Sequence, residues 1–200
     1  MKPSSILLMP AALLIAIPAW AGPPLICQQF EIGSAKSLPW KGGADWAGVD
    51  PSYNLANLSD DTLALLTPAT PVKVRMETLR RAGIYSAKDA RLAGELTGRL
   101  LARALDTEAA GKPDPFAWFD AGYFVETIRQ VTFIYRFNML NPTERAAWQL
   151  RGDTARLDGY PWVQKAIRLG GVGMDYAISL ITEYRAEDLK SAGTLAVSRR

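Results

Sequence analysis

Helix start signals recur along most of this chain, and they limit it to a largely helical fold. A polar or acidic cap followed by proline, or by acidic first-turn residues, satisfies the unpaired N–H groups at a helix start. Such signals occur at Ser59-Asp60-Asp61, Thr70-Pro71, Ser86-Ala87-Lys88-Asp89, Asp114-Pro115 and Asn141-Pro142-Thr143-Glu144. Between Pro71 and Leu189 no alternating apolar run is long enough for a sheet. The sequence therefore predicts an all-α fold, either an irregular antiparallel helical bundle or stacked helical hairpins.

The predicted helices end where the apolar period stops or where glycine or proline follows. Their ranges are 59–66, 71–84, 86–110, 115 to 137 or 139, 142–152, 161–169 and 174–189. These ranges define a helical domain over residues 59–190. The last residues, 191–200, are predicted to form a flexible tail.

Residues 22–58 differ from the rest because they are rich in glycine, proline, serine and asparagine. No helical or strand period persists there, which predicts an irregular arm lying on the helical domain. Part of this arm should be ordered, and residues 26–32 allow a short strand. The side chains too apolar to remain in water are Ile26, Phe30, Ile32, Leu38 and Trp40.

Residues 1–21 have the three parts of a secretory signal peptide in order: Lys2, an apolar stretch over 6–17, and small residues at Ala19 and Ala21. We expect cleavage after Ala21 and a periplasmic or extracellular location. The apolar stretch is shorter than the roughly 20 residues that span a bilayer, which disfavours the alternative of an uncleaved anchor. The mature protein is expected to be soluble, with no membrane span.

The chain contains no histidine, which excludes Ser-His-Asp catalysis, Cys-His catalysis and the familiar zinc sites. Its 23 Lys and Arg residues nearly balance 20 Asp and Glu residues, so charge does not favour nucleic-acid binding. The segment Gly170-Gly171-Val172-Gly173 has neither the preceding strand nor the following lysine of a phosphate-binding loop. It is interpreted as a helix stop and restart. The sequence predicts no cofactor, no metal and no nucleic-acid partner.

Cys27 is the only cysteine, so no intramolecular disulfide can form. Its apolar neighbours Leu25, Ile26 and Phe30 favour a packing role. An intermolecular disulfide is the alternative.

Basic residues outnumber acidic ones in the stretch 71–103, and Arg91, Glu95, Arg99 and Arg103 follow one another at helical spacing. The favoured interpretation is a solvated helix face with ion pairs worth about 0.2–0.5 kcal/mol each. The alternative is a docking surface for an acidic partner or an envelope polymer. The basic residues concerned are Lys73, Arg75, Arg80, Arg81, Lys88, Arg91, Arg99 and Arg103.

The helix predicted from residue 115 is apolar around most of its circumference and should run through the middle of the domain. One coherent core face consists of Phe124, Ile128, Val131 and Tyr135. On the other side, Asp120, Tyr123 and Glu126 interrupt an aromatic stripe, which makes them candidate binding residues. They either line a pocket or hydrogen-bond to neighbouring helices, and the second interpretation is favoured because buried polar groups usually find protein partners.

Trp40 and Trp46 are further candidate binding residues, because aromatic rings in the glycine-rich arm could stack on sugars or peptides. The favoured interpretation is that these rings pin the arm to the domain. A buried ring stabilises such a contact by a few kcal/mol.

An exported helical domain of this kind is most simply a protein- or peptide-interaction module in the cell envelope, rather than an enzyme. One alternative is a carboxylate-only hydrolase of an envelope polymer, which would need Asp120 and Glu126 about 5–9.5 Å apart in an open cleft. Another is a small-ligand carrier with helix 115–137 as the wall of its pocket. No catalytic residue is assigned, and the oligomeric state stays open.

Overall fold

The computed structural model describes residues 24–42, 46–136, 140, 142–147 and 154–197, so the predicted signal peptide lies outside the described residues. Short 3₁₀ turns occur at Leu55–Asn57 and Thr154–Arg156. The all-α prediction is confirmed. None of the helices formed by the described residues is both long and apolar enough to span a bilayer. The helices are α1 (Pro24–Cys27), α2 (Leu58–Leu65), α3 (Val72–Ser86), α4 (Ala90–Ala109), α5 (Pro115–Arg136), α6 (Pro142–Ala147), α7 (Tyr160–Arg168) and α8 (Asp175–Val197).

The predicted helix cap at Asp114 is confirmed, since Asp114 accepts the Phe116 N–H at the start of α5 over 2.8 Å. The helix start predicted at Ser86 is wrong: Ser86 is the last residue of α3, and its hydroxyl donates to the Gly83 carbonyl over 2.9 Å. α4 begins three residues later, where Asp89 accepts the Arg91 N–H over 2.9 Å.

The predicted cap at Thr70 is wrong. Its hydroxyl donates instead to the Leu65 carbonyl over 2.7 Å, because the preceding helix leaves that carbonyl without an intrahelical partner.

α5 runs through the middle of the bundle, as the sequence predicts. Helices α1, α3, α4 and α7 all pack against it. Its side chains are buried on every side over residues 117–128, and Phe119, Phe124 and Val131 have no exposed surface. The predicted end of this helix at residue 137 or 139 lies outside the described residues.

The predicted break at the glycine-rich segment after α7 is confirmed. Gly170 adopts a positive φ of 89°, which L side chains rarely tolerate, and α8 begins at Asp175. α8 then continues to Val197, beyond the predicted end at Leu189, so helix extends into the segment predicted as a flexible tail. A lone glycine such as Gly193 weakens a helix by about 1 kcal/mol but does not by itself end it.

The N-terminal arm contributes to the core of the bundle. Leu25, Ile26, Phe30 and Leu38 are buried against the helices. The short strand that residues 26–32 would allow does not form. Pro24 begins a helical turn, and the side chain of Gln130 in α5 accepts the Leu25 N–H over 2.7 Å in place of a neighbouring strand. The arm has one isolated strand-like bridge, between Trp40 and Val49.

α5 and the start of α7 approach each other through glycine backbones. A Cβ atom added at Gly122 would lie 2.6 Å from the Gly159 carbonyl oxygen and 2.9 Å from the Val163 nitrogen. Both contacts are with backbone atoms, which cannot move away as the end of a flexible side chain can. In contrast, a Cβ atom at Gly98 in α4 would meet open space.

We expect Gly122→Ala to lower the free energy of unfolding by about 1–3 kcal/mol, because the added methyl group forces α7 away from α5. Gly98→Ala should raise it by up to about 1 kcal/mol, since the same change in an exposed helix only reduces backbone entropy. Urea unfolding of both variants measures the difference. Equal effects would contradict the close approach of the two helices.

Candidate functional site

Asp120 lies in a buried ion pair with Arg75 of α3. The Arg75 Nη1 atom donates to Asp120 Oδ2 over 2.6 Å, and neither side chain has exposed surface. Arg75 also donates to the carbonyls of Thr70 and Thr67, and its guanidinium lies 4.5 Å from the centroid of the Phe116 ring. The pair therefore ties α5 to α3 and to the turn before α3.

The surroundings of Asp120 oppose its ionisation. Burial raises the pKa of this carboxyl to about 7, although the charge of Arg75 acts in the other direction. Its second oxygen, Oδ1, has no hydrogen-bond partner among the described residues.

Tyr123 is held by apolar contacts. Its ring stacks on Phe119 with 5.3 Å between the centroids, and its buried hydroxyl has no hydrogen-bond partner within the described part of the chain. Burial raises the pKa of this hydroxyl well above its usual range. Tyr123 is therefore neutral and enclosed.

Glu126 connects α5 to two other elements. Its Oε1 atom accepts the Gly159 N–H over 2.9 Å and an Arg185 N–H over 3.1 Å, which fixes the start of α7 and the middle of α8. Arg185 also pairs with Asp158 and lies 4.8 Å from the centroid of the Tyr160 ring. The carboxylate of Glu126 is fully buried in this network.

The structure thus places Asp120, Tyr123 and Glu126 in the core and gives none of them exposed surface. Six residues along a helix turn a side chain about 120° around the axis, so the two carboxylates face different neighbours. They do not share the open cleft that a hydrolase needs. Their contacts fit the favoured interpretation, in which polar groups of α5 hydrogen-bond to neighbouring helices.

A second buried charged cluster, which the sequence analysis missed, lies on α3 and consists of Glu77, Arg80 and Arg81. Glu77 Oε2 accepts from Arg80 Nε over 2.8 Å, and Glu77 Oε1 accepts from Arg81 Nε over 2.7 Å. The interpretation of the basic stretch as a solvated face is therefore wrong for these arginines and for Arg75. It fits α4, where exposed Arg99 pairs with neighbouring acids.

The α3 cluster binds the backbone of the arm. Glu77 accepts the Phe30 N–H over 3.1 Å, Arg80 donates to the Ile26 carbonyl over 3.0 Å, and Arg81 donates to the Leu38 carbonyl over 2.6 Å. An irregular segment buries backbone groups that need partners. Here the partners are charged side chains of a helix.

Trp40 and Trp46 are both half-buried on the inner side of the arm. The Trp40 ring meets Tyr85 edge to face at 6.2 Å between centroids, and the Arg80 guanidinium lies 4.8 Å from its centre. Trp46 and half-buried Cys27 pack against the smaller apolar cluster around Ile26. These contacts fit the pinning interpretation of the two tryptophans and a packing role for Cys27.

The surface carries an open groove between α2 and α4, which we call the α2–α4 groove. Its volume is about 550 Å³. Apolar contacts come from half-buried Leu63 and exposed Ala102. The lining residues are Leu63, Arg99, Ala102, Arg103, Asp106 and Thr107.

Comparison of the chain with protein-family models, with curated proteins and with solved structures finds no match. Within the described part of the chain, no group of three or more cysteine or acidic side chains could hold a metal ion.

The spacing of Glu77 before Arg80 and Arg81 was visible in the sequence as a potential local ion-pair cluster. What the sequence did not indicate is that the arm covers this face of α3. The α2–α4 groove has no sequence signal of its own, because it depends on how two separate helices are placed.

We expect Glu77→Gln to lower the free energy of unfolding by about 3–5 kcal/mol, because it leaves two arginines uncompensated at a buried site. Glu95→Gln in exposed α4 is the matched control and should change stability by less than about 0.5 kcal/mol. Urea titrations followed by circular dichroism measure both. A small loss for Glu77→Gln would mean that the α3 cluster is open to water.

We also expect a pH dependence that originates from Asp120. Its pKa is about 7 in the folded protein, whereas an unperturbed aspartate has a pKa of 3.8, so the unfolded chain gives up this proton at lower pH. The stability of the wild type relative to Asp120→Asn should therefore fall between about pH 4 and 7, by up to about 1.4 kcal/mol per pH unit, and level off above. Unfolding free energies at several pH values measure it. If the stability of the wild type relative to Asp120→Asn instead rises with pH, the charge of Arg75 affects the pKa of Asp120 more than burial does.

Proposed function

We propose that this protein is an exported interaction module of the cell envelope that holds a short helical segment of a partner protein in the α2–α4 groove. The observation that carries the proposal is the size of this open groove, about 550 Å³. Clefts of about 300–1,000 Å³ are typical of binding sites, and amphipathic helices commonly occupy grooves of this kind.

The charges of the groove favour a partner segment with a basic residue. Arg99 is 2.7 Å from Asp60, and Arg103 donates to the Leu66 carbonyl over 2.7 Å, so both cations already have partners. Asp106 has no ion pair with any described residue. An apolar segment carrying one lysine or arginine would complement it, whereas the arginines give little support to an acidic partner.

The neighbouring face of α4 suits the approach of another helix. Gly98 and Ala102 are one turn apart and exposed, and the Leu105 side chain beside them is 48% exposed. Small residues allow a second backbone to come close, and an exposed leucine offers it an apolar contact.

The two other functional classes have less support from the geometry. The carboxylates of a hydrolase would have to be Asp120 and Glu126, which are buried in ion pairs. A carrier would need space beside the aromatic residues of α5, yet Phe119 and Phe124 are enclosed by neighbouring helices.

Export belongs to the same proposal and rests on the signal-peptide pattern of residues 1–21. Cleavage after Ala21 would leave every described residue in the mature chain, since the described region begins at Pro24.

The experiment uses the full-length gene, with the protein purified from the envelope fraction, where its N-terminal residues should read Gly-Pro-Pro-Leu-Ile. Fluorescence anisotropy then follows binding of two labelled 15-residue amphipathic helices that have a leucine face. One carries a single lysine beside that face, and the other carries glutamate in its place. We expect the lysine peptide to bind with a Kd of about 1–100 μM and the glutamate peptide to bind more weakly.

Ala102→Arg should abolish binding of both peptides, because the new side chain fills the groove from an exposed helix position. Asp106→Asn should weaken binding of the lysine peptide by about 2–5-fold, because it removes one exposed ion pair. Glu183→Gln, which removes an exposed acid from α8, is the control and should change nothing. Absence of saturable binding, or binding unaffected by Ala102→Arg, would disprove the proposed site.

A further inference from the structure

A short loop between α7 and α8 holds an aliphatic side chain in water. Val172 lies in this loop and is 84% exposed. The loop is fixed on both sides of it, because the Gly171 N–H donates to the Ala166 carbonyl over 3.0 Å and the Met174 side chain has no exposed surface. Gly173 adopts a positive φ of 80°, which permits the tight path between these points. The packing of the loop therefore keeps Val172 directed outward.

Tyr176 extends the apolar surface of this loop onto the first turn of α8. Its side chain is 47% exposed, and its ring meets the buried ring of Phe30 edge to face at 6.4 Å between centroids. Its hydroxyl donates to the Gln28 side chain over 3.4 Å. The arm thus holds one side of the ring, while the other side faces water at the same end of the bundle as Val172.

Two exposed cations lie at this end of the bundle. Arg168 is the last residue of α7, and Lys73 is in the first turn of α3. The start of α3 lies beside the loop, because a Cβ atom added at Gly173 would be 3.8 Å from Val72 Cγ2. Neither cation is ion-paired with a described residue. The exposed acid Asp175 is in the first turn of α8, where the helix dipole favours a negative charge.

We propose that Lys73, Arg168, Val172 and Tyr176, which we call the α7–α8 loop surface, dock the protein on an anionic lipid bilayer. Val172 enters the apolar region below the headgroups, and the Tyr176 ring lies at headgroup level, where tyrosine is favoured. Lys73 and Arg168 reach the lipid phosphates, and each cation near an anionic surface strengthens binding.

The form of the surface favours a bilayer over a protein partner. A protein would need a pocket matched to one protruding valine and acids matched to two cations on separate helices. A fluid bilayer accepts the same groups without a fixed shape, because its lipids rearrange around them. Binding through one aliphatic side chain and two cations is weak, so we expect reversible attachment.

Co-sedimentation with vesicles at constant ionic strength tests this surface, using the exported protein with its N-terminus verified at Gly22. We expect most of the protein to pellet at about 5 mM lipid with an equal mixture of phosphatidylglycerol and phosphatidylcholine, and binding at least about 5-fold weaker with pure phosphatidylcholine. Any retained residues 1–21 are common to wild type and variants, so the differences between them still measure the surface.

Val172→Asp should weaken binding to the anionic vesicles by at least about 10-fold, because it removes the inserted side chain and adds a repelled charge. Lys73→Gln and Arg168→Gln should each weaken it by about 5-fold. Leu105→Gln and Lys112→Gln are the matched controls, since they remove an exposed leucine and an exposed lysine elsewhere. Both should bind within about 2-fold of the wild type, because separate exposed charges are screened by salt.

A fluorescent label provides a second measurement that reports the position of residue 172 directly. Val172→Cys in a Cys27→Ser background, labelled with an environment-sensitive dye, should show increased and blue-shifted emission on anionic vesicles. The same label at residue 105 should not respond. The proposal is overturned if the wild type does not bind anionic vesicles, if Val172→Asp binds as the wild type does, if pure phosphatidylcholine binds equally well, or if the label at residue 172 stays in water. None of these results depends on peptide binding in the α2–α4 groove.

Discussion

The carboxylate of Glu77 is the contact on which the arrangement of the arm and α3 depends. It receives the Phe30 N–H and the guanidiniums of Arg80 and Arg81. The same arginines donate to carbonyls of the arm. The arm buries irregular backbone, and α3 buries charged side chains, so both need hydrogen-bond partners. Each supplies the partners that the other lacks.

A charged cluster of this kind determines where the arm lies more than it raises the free energy of unfolding. Removing charges from water costs several kcal/mol per ion, and good hydrogen-bond geometry offsets that cost without a large surplus. Apolar contacts of Leu25, Ile26 and Phe30 would tolerate a shift of the arm along the bundle, because hydrophobic attraction has little directionality. Hydrogen bonds to particular carbonyls do not tolerate it, and we infer that they set the position of the arm.

Local features of the fold could be predicted from the sequence, and non-local ones could not. The cap at Asp114 was predictable because the donor and acceptor are two residues apart. The central position of α5 followed from its apolar circumference. The burial of Arg80 was not predictable, because only packing of the arm distinguishes it from exposed Arg99. The same holds for the pairing of Glu126 with Arg185, which are 59 residues apart. The candidate surfaces likewise arise from the packing of separate helices.

The packing of the arm against the helices also constrains the order in which the chain can fold. The hydrogen bond from the Leu25 N–H to Gln130 joins residues 105 positions apart. A chain that emerges N-terminus first presents Leu25, Ile26 and Phe30 long before the helix that covers them has been made. Contacts so distant in sequence form slowly, and apolar segments awaiting them are open to chaperones and to aggregation. The first described residues of the chain are therefore among the last to be buried during folding.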